Sequence, residues 1–308
     1  MLAAAAVFNV LAAEQSEAVN SASGKSMTGT LIRQGKLVLM IAQKLDQELK
    51  SEGISSIEIL KEIKKNPKKF RVQVPYHTRK RIIVLLPQHE KKLAESVIAQ
   101  FRKENLLYSD PKAVKRVAAI AQKITPVLPE KIDINIYLFK SPQVNAFCLP
   151  DGTVMVTQGA LNQLSDDMLA AIIAHEYGHA VSHHGAENMT KMLMNKAVGV
   201  IVDAKMEEKL KNSPPGSKKM IQMIYGMGSR VGFNLPYSRV MEYEADRLSV
   251  IFLHKAGLDP NAAVKLMEFF TADSNKHDNW TEFLSTHPVS AKRLARLKEE
   301  VELLKKQQ

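Results

Sequence analysis

The stretch Ser165–His184, SDDMLAAIIAHEYGHAVSHH, constrains the fold more than any other part of the chain. Ser165 is placed to cap a helix, Asp166 and Asp167 suit its positive end, and Leu169, Ile172 and Ile173 form an apolar face. The run AAIIAHEYGHAV is too apolar for a solvated helix, yet it carries two histidines and a glutamate. His175 and His179 stand four residues apart, so a helix stacks both imidazoles on one face, within reach of one zinc ion at about 2.0–2.1 Å. Glu176 is turned about 100° from His175, too far to be a third ligand but placed to act on a water beside the ion. In a chain with 9 histidines this pattern arises by chance in about one sequence in fifty, so the spacing alone does not establish a site.

Two imidazoles hold zinc weakly, and a third protein ligand is required. His183, on a continued helix, would lie about 12 Å along the axis from His175, too far to share the ion. An extended motif with Gly three and His six residues after the second histidine is excluded, because those positions hold Ser182 and Gly185. A glutamate from a second helix remains. In SRVMEYEADRLSV, Glu242 and Asp246 are four apart on one face, so Glu242 can complete a His2Glu set while Asp246 accepts a proton from the far nitrogen of a ligand histidine. Glu244, rotated about 200° from Glu242, is expected to point elsewhere, toward Arg247. The competing reading of Glu242, Glu244 and Asp246 is a solvated acidic face paired with Arg239 and Arg247.

Around this helix the pattern changes once. Residues 31–50 and 56–66 have helical spacing, Arg81–Leu86 reads as a strand, and helices are expected over 88–106 and over 111–126, the latter capped by Asp110 with Pro111 in first position. Period-two alternation from Ile132 to Leu138 predicts a half-buried strand, and Val144–Leu149 and Val154–Thr157 flank the turn signal Pro150-Asp151-Gly152 of a hairpin. From Ser165 onward the pattern is helical, including 289–306. Strands first and helices after favour an α+β fold, mainly helical with a small sheet.

Composition narrows the chemistry. The single cysteine, Cys148, forbids an intramolecular disulfide and any multi-cysteine metal site, and reads as a buried small hydrophobe. No run reaches the ~18–20 apolar residues of a membrane span, since Lys36, Lys196 and Asp203 interrupt the longest candidates. Net charge is −1 over residues 1–60, +12 over 61–140 and 0 over 141–308. The basic stretch 61–81 is a solvated surface or faces an acidic membrane; nucleic acid is disfavoured, because only Phe70 and Tyr76 interleave there and no reading motif is present. Residues 1–13 resemble the apolar part of a secretory signal without its positive start, or form a short terminal helix. Residues 189–241 hold 8 of the 14 methionines, and 189–230, broken by Ser213-Pro-Pro-Gly-Ser, is expected to be a lid.

Taken together, VPYHTRKRIIVL, Asn145-Ala-Phe-Cys-Leu-Pro-Asp-Gly, HEYGH, LPYSRVMEYEAD and Ser285-Thr-His-Pro with Arg293 resemble the zinc metallopeptidases that include the CAAX prenyl endopeptidases and the heat-shock membrane protease. The resemblance runs from about Val74 to Arg293 and is nearest the bacterial periplasmic and mitochondrial quality-control branch. It implies a zincin of gluzincin type holding one Zn2+ per chain, with His175, His179 and Glu242 as ligands, Glu176 as base, Asp246 behind the metal and His287 steadying the oxyanion. Without it, His287 needs to be no more than a cap residue before Pro288. Asp151 stands where this family often carries Gly. Residues 1–30 are then a leader or linker, 31–73 a basic helical segment and 74–308 the peptidase domain.

The expected activity is endoproteolysis of unfolded or misassembled proteins, with Glu176 moving a proton from water to the leaving nitrogen. An extended substrate would add to the sheet edge near Val144–Leu149 or Val154–Thr157, with Asn145, Ala146 and Phe147 as contacts. The expected compartment is the bacterial periplasm or envelope, with membrane association, or alternatively the mitochondrial inner membrane. The rival readings are a catalytically weak chaperone on the same fold and a nucleic-acid binder through 61–81.

Overall fold

The computed structural model describes residues 55–72, 81–84, 87–133, 135–149, 151–191, 193–194, 238–271, 283–284 and 287–306. The expected leader over 1–13 lies outside these residues, as does nearly all of the expected lid.

Capping follows the sequence closely. Helix α1, Ser56–Lys65, opens on a capping box in which the Ser55 hydroxyl and the Glu58 carboxylate each accept the other's backbone N–H. Strands β1, Arg71–Val72, and β2, Arg81–Ile82, pair antiparallel and precede α2, Pro87–Lys103. Of the predicted strand Arg81–Leu86, Arg81–Ile82 is paired and residues 85–86 lie outside the described ones; Pro87, expected to close the run, is the first residue of α2. Helix α3, Pro111–Ile124, has Asp110 accepting from the backbone N–H groups of Lys112 and Ala113.

A four-stranded mixed sheet is built from β3, Leu107–Tyr108, β4, Ile136–Phe139, β5, Ala146–Cys148, and β6, Val154–Thr157, in the order β3-β4-β6-β5. The predicted hairpin is β5 and β6, antiparallel in the register Ala146↔Val156, turning at Gly152 with φ +90. Asp151 serves this turn by accepting from the backbone N–H and the hydroxyl of Thr153. β4 adds parallel to β6, so β6 is interior and β5 alone forms that edge. The expectation that Val154–Thr157 could receive a substrate strand is therefore corrected: its pairing groups are already used on both sides.

Both faces of the sheet are covered. Leu138, Ala146, Cys148, Val154 and Val156 face one apolar cluster, while Phe139, Phe147, Leu149 and Met155 face another that includes Ile59 and Ile63 of α1 and Leu93, Val97 and Phe101 of α2. Strand β4, expected to be half-buried from Ile132, instead begins at Ile136 and ends with Leu138 and Phe139 both buried.

A short helix α4, Gln158–Gln163, follows β6, and under the first face runs α5, Asp166–Val181, capped by Ser165 and buried at every position from Leu169 to His179. It stops at a turn in which His183 takes φ +50, and residues 184–191 form the next helix, α6. Helix α7, Arg239–Lys255, lies against α5; α8, Asn261–Thr271, packs against both, and α9, Ala291–Lys305, packs against α7 and α8. Gly178 permits the α5–α7 contact: a Cβ there would sit 3.0 Å from the carbonyl oxygen of Ala245 and 3.1 Å from its Cα.

Candidate metal centre

Because α5 keeps helical geometry through His179, the two histidines project from one face, and the close approach at Gly178 brings Glu242 of α7 opposite them. His175 Nε2 and His179 Nε2 are 3.1 Å apart, and Glu242 oxygens lie 3.6 Å and 3.5 Å from them. Among the described residues, His175, His179, Glu242 and His287 form a buried group whose ligand atoms lie within 4.8 Å of one another. A tetrahedral ion with bonds of about 2.0–2.1 Å has ligand–ligand edges of about 3.3–3.4 Å, so three inward-facing donors at these separations fit a metal.

The candidate ligand side chains are held from behind. His175 Nδ1 lies 3.2 Å from Asp246 Oδ1, the relationship expected from the four-residue spacing of Glu242 and Asp246. Asp246 in turn accepts two hydrogen bonds from Arg293, whose third arm lies 2.7 Å from Glu242. His287, brought in ahead of α9, has Nδ1 3.1 Å from Glu242 Oε1 and 3.4 Å from His175 Nε2, and its ring stacks on Phe283. Its Nε2 is 3.4 Å from Glu176 Oε1. Glu176 points up toward the sheet, where its Oε2 accepts the backbone N–H of Cys148 at 3.2 Å.

The far nitrogen of His179 meets His184. The two Nδ1 atoms are 2.9 Å apart, and His184 Nε2 lies 2.8 Å from Glu244 Oε2. Glu244 pairs with the buried guanidinium of Arg81, which also reaches Glu187 at 3.3 Å. Glu244 was expected to turn toward Arg247; instead Arg247 pairs with Glu300 across to α9. His183 is not on a continuation of α5, as expected, but at the turn, between Glu90 and Glu130. Helix periodicity pointed to His183 and passed over His184, because only the left-handed turn at His183 folds His184 back beside His179.

Charge follows burial and pairing. Burial alone would raise Glu242, but His287, Arg293 and His175 overcome it and hold the carboxylate ionised far below its ordinary value. Asp246 is likewise lowered by Arg293 and His175 against burial. Burial keeps His179 neutral, the form that ligates metals. Burial also raises Glu176, against the opposing pull of His287 and His175, which suits a group that must both take and return a proton. The Cys148 thiol, pushed up first by burial and then by Glu176, is inert.

Of the expected substrate contacts, Asn145 and Phe147 fall on the β6-paired positions of β5, since Thr157 donates to the Asn145 carbonyl and Leu149 to that of Thr153. Ala146 and Cys148 turn their backbone groups the other way, outward along the edge.

Comparison with known proteins gives the family. The chain is 30% identical over 231 residues to the mitochondrial metalloendopeptidase OMA1 of Schizosaccharomyces pombe, covering 73% of this chain and 65% of that protein. Against the metalloendopeptidase OMA1, mitochondrial, of Homo sapiens it is 31% identical over 210 residues, covering 65% and 39%. With the beta-barrel assembly-enhancing protease of Escherichia coli K12 it shares 26% identity over 215 residues, covering 67% and 42%. The chain thus spans less than two thirds of the length of these relatives. Residues 126–301, which contain His175, Glu176, His179, Glu242, Asp246 and His287, match Peptidase family M48, to which this chain therefore belongs.

Proposed function

We propose that the protein is a zinc-dependent metalloendopeptidase of gluzincin type, with one Zn2+ held by His175, His179 and Glu242. The observation that carries this reading is the near-tetrahedral spacing of the three donors, 3.1, 3.6 and 3.5 Å, with Glu176 beside them. When bound, zinc would supply Lewis acidity to the scissile carbonyl and to the attacking water. Glu176, oriented by the Cys148 N–H, takes the proton from that water and returns it to the leaving nitrogen. His287, with Nε2 3.4 Å from Glu176 Oε1, steadies the oxygen that becomes negative.

An extended peptide adds along the β5 edge, pairing with the backbone of Ala146, while Asn145 and Phe147 shape the strand from its other face. Backbone pairing carries little side-chain preference, which suits unfolded or misassembled proteins. The relatives' names, a mitochondrial metalloendopeptidase and a beta-barrel assembly-enhancing protease, support quality control in a bacterial periplasm or envelope, or alternatively in the mitochondrial inner membrane. Among the described residues no helix is long and apolar enough to cross a membrane. We infer that membrane association runs through the exposed lysines of 61–69 against an acidic lipid surface. In this reading the catalytic unit would span 74–308, preceded by the basic segment 31–73 and the leader or linker 1–30. The deciding experiment is metal analysis together with casein digestion, with and without a chelator. Stoichiometric zinc and chelator-sensitive cleavage are expected, and a metal-free, inactive protein overturns the reading.

A further inference from the structure

The two ligand histidines are supported differently. His175 meets a carboxylate directly, whereas His179 meets another imidazole, His184, and through it Glu244. We propose that His184, Glu244 and Arg81 form a positioning relay that locks His179 in the one tautomer able to bind the metal. This rests on the metal reading above.

The proton order follows from the contacts. Glu244 is ion-paired with Arg81, so it is a carboxylate and can only accept. His184 Nε2 lies 2.8 Å from this carboxylate and 3.4 Å from Arg81 Nη2, and the shorter contact requires it to carry a hydrogen and donate it to Glu244. In a buried site where the ring is neutral, the other nitrogen, Nδ1, is left with a lone pair. It lies 2.9 Å from His179 Nδ1, and the two are complementary when His179 donates from that atom. His179 Nε2 is thereby left bare and faces Glu242 and His175 Nε2. A protonated His184 would reverse this, forcing His179 to accept at Nδ1 and to carry its hydrogen on the nitrogen that faces the metal. His184 is fully buried with the Arg81 guanidinium 3.4 Å from its Nε2, which disfavours a second positive charge on the ring. Arg81, 1% exposed and held also by Glu187, maintains the charge on Glu244. It lies on β2, well before the family match begins at residue 126, so the metal shell recruits a segment outside the matched region.

The test is zinc affinity of the full chain, measured by chelator competition, for wild type, His184→Phe and His184→Gln, alongside 15N spectra of the histidines in zinc-loaded wild type. Phe keeps the ring and removes both nitrogens, and zinc affinity is expected to fall about 10–100-fold. Gln can accept from His179 and donate to Glu244, and should recover most of that loss. In the spectra, His179 should carry its hydrogen on Nδ1 and His184 on Nε2 alone. Affinity unchanged in His184→Phe, no recovery in His184→Gln relative to Phe, or a hydrogen on His184 Nδ1 would each overturn the relay while leaving the metal site standing. Wild type that takes up no zinc would overturn the metal reading itself. The spectra need no variant, so a misfolded His184→Phe does not shield the proposal.

Discussion

Arg293 clasps Asp246 through two hydrogen bonds of 2.8 and 2.7 Å, joining α9 to α7 directly behind the metal centre. The same guanidinium touches Glu242, so one cation neutralises two buried carboxylates, one a proposed ligand and the other the partner of His175. Replacing it with Lys keeps a charge but cannot reproduce the fork. Arg293→Lys should weaken zinc about 10-fold or more, and Arg293→Met should also destabilise the fold by about 3–5 kcal/mol, because two buried charges lose their partner. Zinc competition and denaturant unfolding read the two effects separately.

Glu242→Ala removes the third donor and should sharply lower zinc occupancy and abolish cleavage, whereas Asp246→Ala should weaken zinc about 10–100-fold without removing it. Zinc titration of both variants checks the ranking, and the reverse order would withdraw both assignments.

Glu176→Gln keeps the shape and the contact with the Cys148 N–H but cannot take a proton. Zinc content should stay at the wild-type level while turnover drops by about 10^2–10^4. Turnover equal to wild type would remove Glu176 from the base role.

Gly178→Ala places a methyl 3.0 Å from the Ala245 carbonyl oxygen and forces α7 away from α5 by a few tenths of an ångström. Since Glu242 rides on α7 and both histidines on α5, this should cost zinc affinity as well as about 1–3 kcal/mol of stability. Thermal unfolding of the metal-free protein, compared with zinc titration, separates the two; affinity identical to wild type would show that the helix spacing does not set the donor spacing.

His183 should make stability depend on pH. Hydrogen bonding to Glu130 and then to Glu90 raises it to about 9, against the opposing effect of burial. The folded value lies above the unfolded one, about 6.5, so the contribution is complete below about pH 6.5 and is lost as pH rises toward 9. Glu130→Gln should flatten this part of the profile, read from unfolding midpoints between pH 6 and 9; an unchanged slope would show that the clamp does not operate.

What the sequence alone determined is whatever a single helix decides. His175 and His179 on one face, Glu242 and Asp246 on another, Ser165 and Asp110 as caps and the Asp151-Gly152 turn all follow from rules that act within a few residues, and each is present. Tertiary structure decided the rest. That β5 and not β6 is the edge depends on β4 arriving parallel beside β6, a pairing no local pattern encodes. The partners of Glu244 were misread because Arg81 is 163 residues away in the chain and His184 is 60, and buried ion pairs have no period. His184 itself was hidden by the assumption that α5 runs on through Ser182. One non-glycine residue at φ +50 ends it, and that conformation is held by the packing of His183 between Glu90 and Glu130, which exists only once the chain has folded.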